Sequence, residues 1–72
     1  MKKCTIAISS VNHALRSERL LNENNIYSKV KKLPPEATKK GCAYGIEVNC
    51  KDVSKATSLL DRSGISYSEI LR

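Results

Sequence analysis

Lys3-Cys4-Thr5-Ile6-Ala7-Ile8-Ser9-Ser10-Val11-Asn12-His13-Ala14 is the stretch whose reading decides the fold. From Lys3 to Ser9 the residues alternate, Cys4, Ile6 and Ile8 against Thr5, Ala7 and Ser9. That is the period of a strand with one thoroughly apolar face, as a central strand requires. Ser9-Ser10 stops the alternation and offers a helix N-cap. From about Val11 to Asn24 the spacing turns helical. Ala14, Ser17, Leu20, Leu21 and Asn24 fall along one side, with Val11 at its start, and the small side chains among them suit close packing on a sheet. Glu23-Asn24-Asn25 ends the helix, and either Asn can take the left-handed conformation of a C-cap.

Further along, Ile26 to Leu33 reads as a second strand, with Ile26, Ser28 and Val30 facing one way and Tyr27, Lys29 and Lys31 the other. Its basic face suits a sheet edge, and Pro34-Pro35 ends it because proline donates no ladder hydrogen bond. Glu36 to Gly41 is a polar loop. Cys42 to Cys50 is the third strand, with Tyr44, Ile46, Val48 and Cys50 on one face, and Gly45 within it marks a bulge or a close approach. Lys51-Asp52 opens a second helix, with Asp52 as N-cap and Val53, Ala56, Leu59 and Leu60 as its apolar stripe. Gly64 falls where a C-cap glycine belongs, and Ile65 to Leu71, carrying Tyr67, is the last strand.

The order is therefore βαββαβ, and its halves repeat: each helix closes in a polar turn followed by an isoleucine, as in Asn25-Ile26-Tyr27 and Gly64-Ile65-Ser66. Two such units joined by an antiparallel hairpin predict an α+β, ferredoxin-like split βαβ sandwich, a single domain over residues 1–72. Right-handed crossovers give a four-stranded antiparallel sheet of order 4-1-3-2 with both helices on one face.

A chain of 72 residues has little room for a deep catalytic cleft beside a separate binding domain. Its size favours carrier work or partner binding over stand-alone enzymatic catalysis. The three cysteines, Cys4, Cys42 and Cys50, are odd in number and include no Cys-x-x-Cys pair. That usage suits a reducing compartment better than a secreted disulfide scaffold. Met1-Lys2-Lys3 leads into an apolar run too short for a signal peptide or a membrane span, so a cytoplasmic protein without a membrane partner is expected. The formal net charge is +6, and Lys29, Lys31, Lys32, Lys39 and Lys40 cluster in one segment. Such a patch can attract an acidic protein or an anion, or simply protect an exposed sheet edge. Nucleic acid is not an expected partner, because the chain has no Phe or Trp and its three tyrosines form no stacking platform.

The expected fold gives one cysteine a particular setting. Strands one and three are antiparallel neighbours, so the start of strand three lies beside the end of strand one. Cys42 then sits near Ser9, Ser10 and the N-terminus of the first helix, where Ser10, Asn12 and His13 present backbone N–H groups and the positive end of the helix dipole. Lys39, Lys40 and Gly41 precede the thiol. Such an environment stabilises a thiolate and makes the same edge a plausible anion site. Cys4 and Cys50, in strands with apolar neighbours, are expected to be buried and inert. His13 reads more readily as a plain surface residue of the first turn than as a participant in chemistry. Two potential ligands, His13 and Cys42, do not make a metal site, Glu18 and Glu47 have no spacing that makes them an acid/base pair, and no phosphate loop or nucleophile triad is present. No cofactor is called for.

The run Ser10-Val11-Asn12-His13-Ala14-Leu15, with Glu18, Leu20 and Leu21 behind it, resembles the start of the selenium/sulfur carrier protein-like family of small bacterial domains. Pro35-Glu36-Ala37-Thr38-Lys39-Lys40-Gly41-Cys42 is similar to that family's proline-led loop into a Ser-Ser-Cys-Gly-like motif, and Asp52 through Ile65 also fits. Here Lys40-Gly41 stands where the family tends to have serines, and Ala43 where glycine is usual. The resemblance spans essentially the whole chain. It implies that Cys42 carries sulfur or selenium as a persulfide or perselenide, received from one protein partner and passed to another, with the basic segment as a docking surface. The competing reading is a non-catalytic interaction or regulatory domain. It would bind a partner, or a second copy of itself, through an edge strand or the open sheet face, using Tyr27 and the basic face of strand two. A metallochaperone, whose fold is similar, ranks below both, because the first strand–helix loop, Ser9 to His13, holds no cysteine.

Overall fold

The computed structural model describes residues 2–34, 36, 38 and 43–71. The elements are β1 (Lys3–Ile8), α1 (Val11–Glu23), β2 (Lys29–Lys32), β3 (Tyr44–Asn49), a 3₁₀ turn (Cys50–Asp52), α2 (Val53–Arg62) and β4 (Glu69–Leu71). The strands form one antiparallel sheet of order β2-β3-β1-β4. This is the ferredoxin-like order expected from the sequence.

The period-2 pattern of β1 decides the core. Cys4, Ile6 and Ile8 point to the helices and join Ile46 and Val48 of β3, Ala14 and Leu21 of α1, and Val53, Ala56 and Leu60 of α2 in one cluster. Burying a side chain such as Ile6 or Leu21 in full contributes about 1.5–3 kcal/mol over leaving it exposed. Ser17 lies in the same helix face, fully buried, and its hydroxyl donates to the His13 carbonyl at 2.7 Å. Val11, at the start of that stripe, stays exposed, as does Asn24 at its end.

Both helices close in the same way. Asn25 and Gly64 take positive φ, 61° and 72°. The next N–H groups, of Ile26 and Ile65, each donate back at 2.9 Å to the carbonyls of Leu21 and Leu60. The Asn25 and Gly64 N–H groups meanwhile reach Asn22 and Asp61 at 3.1 and 3.2 Å. These are paired Schellman closures, and the isoleucine after each turn packs back on the helix it ends. Those bonds also explain why the strands are shorter than their apolar pattern. Ile26 and Ile65 are held in helix closure, so β2 begins only at Lys29 and β4 only at Glu69. At the far end of β3 the strand stops at Asn49, and Cys50 opens the 3₁₀ turn that leads into α2, with Asp52 as its N-cap.

The face of the sheet away from the helices is not bare. Ala7 is fully buried there and packs with Leu33 and the partly buried Leu71. Gly45 is paired with Ala7, and a Cβ on Gly45 would stand 2.6 Å from Thr5 Cγ2 and 3.0 Å from Leu33 Cδ1. Gly45 therefore serves a close approach: Leu33 lies over it and covers the middle of the open face.

Candidate functional site

The site expected from the sequence belongs to the end of the sheet where β1 hands over to α1. Ser10 is the N-cap, in extended conformation at φ −111°, and makes no side-chain cap hydrogen bond. The Ala14 N–H donates to the Ser10 carbonyl at 2.9 Å, and the N–H groups before it in the first turn have no acceptor within the helix. No acidic residue occupies that turn, so nothing there offsets the positive end of the helix dipole. Ser10 and His13 are half-buried and Asn12 is exposed.

The chain returns beside this turn. Ile8 pairs with Tyr44, the last pair of β1 and β3, and the Ala43 carbonyl accepts from the Leu33 N–H at 2.7 Å. Ser9 and Ala43 each follow that pair outward, as the strand pairing expected from the sequence requires. Lys39, Lys40, Gly41 and Cys42 themselves lie outside the described residues. Lys29, Lys31 and Lys32 are exposed along β2, as is Tyr27 before it.

Two features were not anticipated. Cys4 and Cys50, expected to be separate inert thiols, are joined in a disulfide with their Cα atoms 5.0 Å apart. The antiparallel argument applied to one end of β1 and β3 holds for the other end as well. Lys3 faces Asn49, the Cys50 N–H donates to the Lys2 carbonyl at 3.1 Å, and the two cysteines meet across the strands. Cys4 is almost wholly buried and Cys50 half-buried. The odd cysteine count hid this pair.

The second feature is Glu18. Its carboxylate accepts from the Val30 N–H of β2 at 2.8 Å. One turn of chain away, the Ser28 hydroxyl donates to the Glu18 carbonyl at 3.1 Å. Glu18 thus satisfies an outward-facing donor of the edge strand. Among the described residues, no three His, Cys, Asp or Glu side chains gather as a metal site, and no helix is long and apolar enough to cross a membrane.

The fold and this end of the sheet define a ferredoxin-like α+β protein whose first helix begins at the same end of the sheet as its third strand. Over residues 3–72 the chain matches the family described as "Putative Se/S carrier protein-like", and it belongs to that family. No curated protein and no solved structure matches it significantly.

Proposed function

We propose that this protein carries sulfur or selenium on Cys42, as a persulfide or perselenide, between a donor and an acceptor protein. The observation that supports it most is the family match over residues 3–72. The uncapped first turn of α1 supports the choice of residue, because Ser10, Asn12 and His13 offer N–H groups and positive potential beside the segment that leads into Tyr44. Lys40 and Gly41 complete the site in this reading. The exposed Lys29, Lys31 and Lys32 form a docking patch for acidic partners. The proposal sets the carrier in the cytoplasm and as one domain over the whole chain.

The experiment is alkylation of the protein at neutral pH, resolved by peptide mass spectrometry. Cys42 should react faster than free cysteine. Reaction of Cys42 no faster than free cysteine would remove the activated thiol on which the proposal stands.

A further inference from the structure

We propose that the Cys4–Cys50 disulfide is a second loading site, one that takes a hydrochalcogenide anion, hydrosulfide or hydroselenide, onto Cys50. The proposal rests on the sulfur/selenium reading for its ligand class and on no property of Cys42.

Hydrosulfide sulfur is two electrons more reduced than the outer sulfur of a persulfide. A simple thiol cannot take it up without an oxidant, whereas a disulfide holds the oxidising equivalents itself. Hydrosulfide attacks Cys50 Sγ, the new S–S bond forms to Cys50, and the Cys4–Cys50 bond breaks with its electron pair leaving on Cys4. The proton released when hydrogen sulfide ionises ends on Cys4. The balance is one disulfide plus hydrogen sulfide giving one Cys50 persulfide and one Cys4 thiol.

Burial selects the sulfur that is attacked. Cys4 is 1% exposed and packs within the core cluster, while Cys50 is half-buried at the start of the 3₁₀ turn. Cys50 borders two open surface cavities. One, of about 360 Å³, is lined by Lys2, Lys3, Cys4 and Cys50; the other, of about 200 Å³, by Lys2, Asn49, Cys50 and Lys51. Among the described residues, every charged one in these linings is a lysine, so the approach favours an anion. Lys3 is held in place, its ammonium donating to Asn49 Oδ1 at 2.8 Å and lying 4.0 Å from the centre of the Tyr27 ring. Lys2 and Lys51 are exposed, where they can meet the incoming charge. This site is at the Lys3–Asn49 end of the strand pair, and the Ile8–Tyr44 end is about 17 Å away at the usual rise of a strand.

The test uses the full chain as the Cys42→Ser variant, mildly oxidised, treated anaerobically with sodium hydrosulfide, alkylated and mapped by peptide mass spectrometry. The expected result is one added sulfur atom on the Cys50 peptide and an equal yield of alkylated Cys4. In the Lys2→Glu/Lys51→Glu background the loading rate should fall on the order of tenfold at low salt, with the difference shrinking as salt is added. Three results would overturn the proposal: no Cys4–Cys50 linkage in the oxidised protein, an intact linkage after hydrosulfide, or the added sulfur on Cys4. The donor assay on Cys42 is separate. Failure there with Cys50 loaded removes the Cys42 reading alone, and the converse removes this one alone.

Discussion

At Gly45 the sheet leaves no room for a side chain. A Cβ would press on Thr5 Cγ2 at 2.6 Å and on Leu33 Cδ1 at 3.0 Å, and Thr5, on β1, has little freedom to retreat. Gly45→Ala should therefore destabilise the protein by about 1–3 kcal/mol, the usual cost of overpacking, in a urea or thermal melt. An unchanged melt would show that Leu33 lifts off the open face without cost. Leu33 matters for function as well. It covers the Ala7–Gly45 pair and so leaves less of the open sheet face for a partner, which weighs against the interaction-domain alternative in its open-face form. The sequence marked Gly45 as a bulge or a close approach, and spacing alone could not choose between them. The choice depends on Leu33, whose position over the sheet is not encoded in any local period.

At the scale of elements, β2 is short and lies at the sheet edge, and its outward Val30 N–H is taken by the Glu18 carboxylate. Glu18→Ala should cost about 1–3 kcal/mol, because a half-buried donor loses a charged acceptor, and it should reopen the edge to strand addition. Stability in urea reads the first effect, and self-association by analytical ultracentrifugation reads the second. Full stability in the variant would show that Val30 needs no protein acceptor. The two crossover units were legible because periods of 2 and of 3.6 change cleanly at Ser9-Ser10 and at Lys51-Asp52, and because Asn25-Ile26 and Gly64-Ile65 repeat one helix closure. Strand lengths were overestimated for the same reason. An isoleucine that closes a helix looks, in sequence, like the first residue of a strand. The role of Glu18 was invisible because a bond across 12 residues from a helix side chain to a strand N–H has no sequence spacing of its own.

For the whole molecule, the Cys4–Cys50 bond closes a loop with a sequence separation of 46. By loop-closure entropy its reduction should lower stability by about 4 kcal/mol, seen as a lower melting temperature under dithiothreitol in the Cys42→Ser variant. An unchanged melting temperature would mean that the bond adds no constraint to the unfolded chain. The antiparallel arrangement of β1 and β3 was legible in the sequence, and from it Cys42, which lies outside the described residues, was expected near the α1 N-terminus. The same reasoning, carried to the opposite end, reaches Cys4 and Cys50; the odd count of cysteines, read as a sign of free thiols, concealed it. The most direct measurement of the carrier proposal is peptide-resolved mass spectrometry of all three cysteines after incubation with a protein persulfide donor and then with an acceptor thiol. The account predicts a sulfur atom gained on Cys42, lost again to the acceptor, and no gain on Cys42→Ser at that position. A donor-exposed protein in which Cys42 gains no sulfur while remaining free and folded would contradict it.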